Sequence, residues 1–328
     1  MPAARLHGVT LAWSSEALPF DPLADLLAML EPAGEGAGEP LRIALRPASA
    51  GAASDPREEG WEPSFFHGIV QAYRGAGGFL LWDRASRARV PTDGGAVEAE
   101  IAAPHREVEP GSAAAMLQIA LALALRARGL YHLHAAALVH GSGADGVGVL
   151  VVGGSGAGKT TTTLALLEAG AAYLGDDALF LEASPLTLLA FPRAFHLGAA
   201  TLAAFPRLAA LVGPPNGRGD KRPLDPRRAY PGRHRHVLAG VSLALFPSIS
   251  GGPVTELVPL ARAEAFGHLL ASSAALVVDG LPGRDENLAL LNALLRGARC
   301  FELRLGRDAL ADPVAAIAAR VAGCLTTT

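Results

Sequence analysis

A chain of 328 residues, 50% hydrophobic and 18% charged, is long enough for two domains with cores of their own. Lys+Arg 28 against Asp+Glu 31 leaves a formal net charge of -3, so no global basic field exists to hold nucleic acid or an anionic membrane, and neither partner is expected. Cys300 and Cys324 are too few for a disulfide framework and are not spaced as a zinc site, which fits a reducing compartment, so the expected location is cytoplasmic.

The amino-terminal run MPAARLHGVTLAW lacks the apolar stretch of an export signal. Weak strand patterns then alternate with EPAGEGAGEP (Glu31 to Pro40) and ASAGAASDP (Ala48 to Pro56), which read as loops or connectors. Between Phe66 and Ile101 the segments FHGIVQAYRG, GFLLWDRAS, RARVPTDGG and AVEAEIA are short, turn-bounded and apolar at alternating positions, which predicts a small antiparallel sheet. Residues 1–111 are therefore expected to form a smaller β-rich accessory domain. Ser112 to Arg128 is Ala/Leu-rich, lacks internal Gly and Pro and stops at Gly129, which predicts a helix at the junction. Its apolar run, Ala113 to Leu125, is interrupted by Gln118 and ends at Arg126, short of the ~18 to 20 residues of a membrane span.

Residues 112–328 read as an α/β domain. YHLHAAALVH and GVGVLVV are apolar runs typical of strands covered on both faces. Thr160 to Glu168 predicts a helix and Tyr173 to Leu181 a returning strand. Further strands are expected near Val237 to Phe246 and Cys300 to Leu305, and helices near Ala261 to Ser272, Glu286 to Arg296 and Pro313 to Ala322.

Gly153-Gly154-Ser155-Gly156-Ala157-Gly158-Lys159-Thr160 satisfies every fixed position of G-x-x-x-x-G-K-[ST] and sits between a strand and a helix, where a phosphate cradle belongs. Four glycines let successive backbone N–H groups turn inward, and the start of the helix adds a positive dipole end. Lys159 is placed for the β- and γ-phosphates and the Thr160 hydroxyl for a magnesium ion, with Thr161 closing the nucleotide-binding set. Asp176 and Asp177 follow one helix later, and alternation along a strand directs one carboxylate to the phosphates and its neighbour elsewhere. Magnesium coordination and acceptance of a hydroxyl proton are the two roles such a pair suits. His132 and His134 alternate with Tyr131 and Leu133, which predicts one strand face; too few ligands accompany them for a metal site, and His132 reads as a core group.

The run His134-Ala-Ala-Ala-Leu-Val, then Gly148-Val-Leu-Val-Val-Gly-Gly-Ser-Gly-Ala-Gly-Lys159-Thr, then Gly170 and Gly175-Asp176-Asp177, resembles the catalytic domain of the HPr kinase/phosphorylase family. It is similar in particular to HPr-kinase-like relatives in bacterial peptide-biosynthesis clusters, including lasso-peptide kinases. The resemblance is specific over His134 to Leu181, looser from Phe191 onward, and does not extend to the first hundred residues. It implies an HPr kinase-like P-loop catalytic domain and an ATP- and Mg2+-dependent kinase. The implied acceptor is a serine-type hydroxyl of a protein or peptide, a biosynthetic precursor peptide among the candidates. Asp176 is implied as the base, Asp177 and Thr160 as metal neighbours, and His134 as a supporting active-site residue. Two departures weigh against HPr itself and against the reverse reaction: Thr161 stands where bifunctional members carry an acidic residue, and Gly141 to Gly146 lengthens the link from His134 to the loop.

Arg218 to His236 holds seven basic residues against two acidic ones, a local balance of +5, among glycines and prolines. This pattern suits either a solvated loop or a mobile lid whose Lys221 or Arg222 closes on the transferring phosphate. Arg193 and His196 could face the site, although a plain surface position is the commoner place for such an arginine, and Leu276-Val277-Val278-Asp279 reads as a loop. Expectations of other classes are a regulatory ATPase module without a phosphoacceptor and a small-molecule kinase; a homo-oligomer stays open.

Overall fold

The computed structural model describes every residue except 1, 17, 19–21, 24–26, 28, 34–38, 49–53, 104–111, 142–145, 192, 216–219, 274–280 and 326–328, so the expected Leu276–Asp279 loop lies outside the described residues. The fold is mixed α/β. Two compact units divide it: Met1–Tyr131 with Asn216–Arg218 and Val278–Arg284, and His132–Pro215 with Gly219–Val277 and Asp285–Thr328. Among the described residues no helix is long and apolar enough to cross a membrane.

In the first unit the short runs, several of them with alternating burial, join in one sheet. Its strands are β1 (Ala3–Leu6), β2 (Val9–Ser15), β3 (Glu31–Pro32), β4 (Leu41–Pro47), β5 (Glu62–His67), β6 (Val70–Gly75), β7 (Gly78–Trp82), β8 (Arg87–Pro91) and β9 (Ala96–Ile101), in the order β3-β1-β2-β4-β9-β8-β7-β6-β5. β5 to β9 form the expected antiparallel meander. The weaker amino-terminal patterns join the same sheet through β4, whose neighbours β2 and β9 both run parallel to it. The expected junction helix spans Ser112–Arg126 and packs on β6 to β9 within this unit. Its first residue is tied to the β7–β8 turn: Ser112 Oγ donates to Asp83 Oδ2 at 2.7 Å, while Asp83 Oδ1 accepts from the amides of Ala85 and Ser86.

The second unit begins as β10 (Leu130–Leu133) passes into β11 (Ala136–His140) and β12 (Val147–Val151). The helix Lys159–Glu168 carries the chain to β13 (Ala172–Gly175), after which come β14 (Leu179–Ala183), β15 (Leu186–Ala190), β16 (Phe195–Leu197), β17 (Arg222–Leu224), β18 (Val237–Leu238), β19 (Leu243–Ile249), β20 (Glu256–Pro259) and β21 (Arg299–Leu305). Among the described residues the main sheet runs β13-β11-β12-β19-β21-β20, a smaller one runs β10-β14-β15-β18, and β16 pairs with β17. β12, β19 and β21 are parallel, so their carboxyl ends share one edge, where open α/β sheets place their ligands. The helix Lys159–Glu168 crosses over β11 and seals one face with Leu164, Ala165, Leu166 and Leu167, all buried against Val149, Val151 and Leu245. Near the carboxyl terminus the helix expected at Pro313 to Ala322 is present as the contiguous turns Val314–Ala318 and Ala319–Leu325, and a short helix, Asp308–Ala311, precedes it.

Candidate phosphate-binding site

β12 ends at Val151, and the loop that follows turns into the helix through Gly158, whose φ of 100° belongs to the left-handed region that glycine tolerates. A Cβ there would also run into Leu305 Cδ1. Gly154, Ser155 and Gly156 are exposed at the tip, while Lys159 and the helix beneath it are buried.

The Tyr173–Leu181 segment is not one strand. β13 belongs to the main sheet and β14 to the smaller one, and Asp176-Asp177 form the bend between them. Gly175 permits the bend, since a Cβ on it would lie 2.9 Å from the Ala178 carbonyl oxygen. Strand alternation therefore does not send the two carboxylates to opposite faces: both turn to the loop. Thr160 Oγ1 donates to Asp176 Oδ2 at 2.8 Å, and the Lys159 ammonium pairs with Asp177 Oδ1. The pairing sets Asp176, instead of Asp177, beside the loop hydroxyl.

Asp176 is 2% exposed, and its Oδ1 receives no hydrogen bond among the described residues. A buried carboxylate oxygen left over next to a threonine hydroxyl is a donor set of hard oxygens, the kind that magnesium takes alongside water and phosphate. The residues present therefore fit such an ion. Among the described residues no group of three or more His, Cys, Asp or Glu converges as a metal site.

Burial is the largest influence on Lys159 and holds its pKa below the usual lysine range; the Asp176 carboxylate acts in the opposite sense, and the positive charges of Lys221 and Arg193 add to the lowering. Lys221 and Arg193 thus make themselves felt at the loop. Arg193, for which the sequence left a position facing the site open, precedes β16, and Lys221 precedes β17, the strand paired with β16. Nothing in FPRAFHLG distinguishes that arginine beforehand. Arg222 does not turn to the loop: its guanidinium donates to the carbonyls of Gly213 at 2.9 Å and Val212 at 3.3 Å.

Over its described part the rest of the basic segment is anchored to the body of this unit. Asp225 caps the short helix Pro226–Ala229, and Leu224, Ala229 and Tyr230 are buried. Tyr230 Oη donates to Glu168 Oε1 at 2.8 Å, Arg207 pairs with the same carboxylate, and Arg233 bonds the Leu167 carbonyl. These anchors grip the carboxyl end of the helix whose amino end faces the loop. At 1.5 Å per residue over 10 residues, that is roughly 15 Å away.

Thr161 Oγ1 lies 3.3 Å from Thr201 Oγ1 in the helix Ala199–Ala204, a contact that sequence reasoning did not foresee. His132 and His134 do not share a strand face: His132 lies in β10, edge-on to Phe180 with ring centroids 5.7 Å apart, whereas His134 falls in the kink before β11. That kink neighbours the Asp176-Asp177 bend, because β11 pairs with β13 and β10 with β14. Both strands change sheets at the same level.

No family model matches the chain, and no curated protein matches it. Among solved structures, the Hpr(Ser) kinase/phosphatase from Coxiella burnetii is similar over 59% of this chain and 95% of that chain, with 15% identity and a TM-score of 0.28. A likeness this distant assigns no family.

Proposed function

We propose that the second unit is a kinase domain that binds the triphosphate of ATP on the loop 153–160 and transfers the γ-phosphoryl group to a serine-type hydroxyl of a protein or peptide. The observation that carries this reading is the convergence of Asp176 on the Thr160 hydroxyl and of Asp177 on the Lys159 ammonium. In phosphoryl transfer the protein chiefly positions groups and neutralises charge, and a carboxylate touching the loop lysine stands where the terminal phosphate meets its acceptor.

Thr160 and Asp176 would hold magnesium, which when bound neutralises charge on the phosphate oxygens. Asp177, 28% exposed against 2% for Asp176, is the acid an acceptor can reach, so we give it the proton. This exchanges the two roles that the resemblance implies. Arrival of the triphosphate takes Lys159 from Asp177, and the freed carboxylate accepts the acceptor's hydroxyl proton. A new O–P bond forms on the acceptor, the bond from the γ-phosphorus to its bridging oxygen breaks, and ADP departs with that electron pair. Lys159, Lys221 and Arg193 supply positive charge around the transferring group.

The test is label transfer from γ-labelled ATP to a library of serine-containing peptides. Wild-type protein is expected to form phosphoserine. Asp177→Asn is expected to lower transfer by about 10²- to 10⁴-fold, the usual worth of a general base, with ATP affinity within about threefold. Asp176→Asn is expected to weaken magnesium-dependent ATP binding itself. Label appearing only as free phosphate with every acceptor would favour a regulatory ATPase, and transfer by Asp177→Asn at the wild-type rate would remove Asp177 as the base.

A further inference from the structure

The sheet order gives the bound nucleotide a direction. Asp176 and Asp177 sit at the end of β13 on one side of β12, whereas β19 and β21 lie on the other side with their carboxyl ends at the same edge. With the terminal phosphate drawn to the acids, the nucleoside extends from the loop toward the ends of β19 and β21.

That flank ends in an unusual residue. Ile249, the last residue of β19, is 63% exposed, although most isoleucines of this chain's strands are buried. It is the register partner of buried Leu305, and both approach the loop: a Cβ added to Gly158 would meet Leu305 first and lie 3.7 Å from Ile249 Cδ1. An exposed branched apolar side chain therefore borders the turn that leads into Lys159.

The segment after Ile249 is fixed before any ligand arrives. The Ser250 amide and hydroxyl both donate to the Leu305 carbonyl, at 3.0 Å each. The amides of Arg307 and Asp308 donate to the carbonyls of Gly252 and Pro253, and the Thr255 hydroxyl donates to Asp308 Oδ1 at 2.7 Å while accepting from the Gly306 amide. A preformed apolar wall binds a flat ligand without an ordering cost.

We infer that Ile249, backed by Leu305 at the ends of β19 and β21, is the wall against which the base of the bound nucleotide lies. The inference rests on the nucleotide reading given above and adds the base subsite to it. It also predicts what the wall does not do. The nearby Ser250 hydroxyl already donates to the Leu305 carbonyl, and the carbonyls of Gly252 and Pro253 each already accept an amide, so what this wall chiefly presents to the ring is an apolar face. Adenine and guanine nucleotides then bind alike.

Binding of ATP, GTP and inorganic tripolyphosphate to the full chain separates the phosphate contribution from that of the base. For wild type, ATP and GTP are expected within about threefold of each other and both tighter than tripolyphosphate. Ile249→Ala is expected to weaken ATP and GTP by about five- to tenfold, the effect of uncovering most of one aliphatic side chain, with tripolyphosphate unchanged. Val237→Ser, which alters another exposed apolar residue, 51% exposed, is the control expected to change none of the three. If Ile249→Ala keeps the wild-type ratio of ATP to tripolyphosphate affinity, the wall lies elsewhere and the inference is overturned while the loop reading stands. If wild type binds neither ATP nor tripolyphosphate, the loop reading falls and takes the base subsite with it.

Discussion

Lys159 meets two opposed demands: it must be charged to hold phosphate, yet the helix start buries it to 6% exposure. Burial holds its pKa below the usual lysine range, and Lys221 and Arg193 push the same way. A cation whose pKa is lowered keeps its charge below that pKa and loses it as pH rises through it, so the ligand-free site loses its ammonium at a lower pH than an exposed lysine does. The last ionisation of tripolyphosphate affects wild type and a Lys159 variant alike, so the difference between their profiles reports the protein's own group. Wild-type affinity relative to that variant is therefore expected to fall with rising pH, below the range in which an exposed lysine titrates. Lys159→Arg, whose guanidinium stays charged, should bind more weakly at pH 8 and give a flatter profile. A falling limb of equal size in that variant would assign the titration to another group. The loop and the acid pair were legible at this scale because both are contiguous in sequence. The assignment of each acid to its partner was not, because it depends on a bend enabled by Gly175 within a run, Tyr173 to Leu181, that is apolar on both sides and reads as one strand.

Among elements, the basic segment departs most from its sequence pattern. Pro223, Pro226, Pro231 and Gly232 argue for mobility, but the partners that hold it, Glu168 and the Leu167 carbonyl, lie on a helix more than fifty residues earlier, where no local pattern points to them. Glu168 gathers the Tyr230 hydroxyl and the Arg207 guanidinium, which itself stacks 4.8 Å over the Tyr230 ring. Burial is the largest reason that the Tyr230 pKa is raised, and the bond to Glu168 adds to it, so the hydroxyl remains a donor across the ordinary pH range. Removing the shared acceptor should release the segment. Glu168→Ala is expected to raise the rate of tryptic cleavage after Arg227, Arg228, Arg233 and Arg235 by about tenfold or more, since two charge-assisted bonds are lost and a buried hydroxyl is left unpaired. Cleavage at the wild-type rate would mean that the segment is held without Glu168, by its buried Leu224 and Ala229 and by the Arg233 bond to the Leu167 carbonyl. Transfer kinetics distinguish this anchor from a lid, because an anchor at the far end of the helix alters stability before it alters turnover.

At the scale of the whole molecule, two buried apolar sets explain why one chain forms two units. Leu6, Leu11, Leu41, Leu80, Leu81, Met116 and Leu117 belong to the first, and Tyr173, Phe180 and Phe195 to the second. The antiparallel meander from β5 to β9 was legible because its partners are adjacent in sequence. The parallel pairings of β4 with β2 and β9 were not, since alternation marks Leu41, Ile43 and Leu45 as buried but does not say beside which strand. The border between units likewise falls at Tyr131/His132, beyond the helix that composition placed at the junction. Only the second unit carries the phosphate loop, so a ligand of that loop should stabilise it selectively. Tripolyphosphate at a hundred times its dissociation constant adds about 2.7 kcal/mol to the state that binds it. Calorimetry of the full chain is therefore expected to resolve two transitions, of which tripolyphosphate raises one, and Ile249→Ala should leave that shift intact while shrinking the additional shift produced by ATP. A single transition that moves as a whole would show that the two cores melt together, which would make every stability measurement on the loop a measurement on the entire chain.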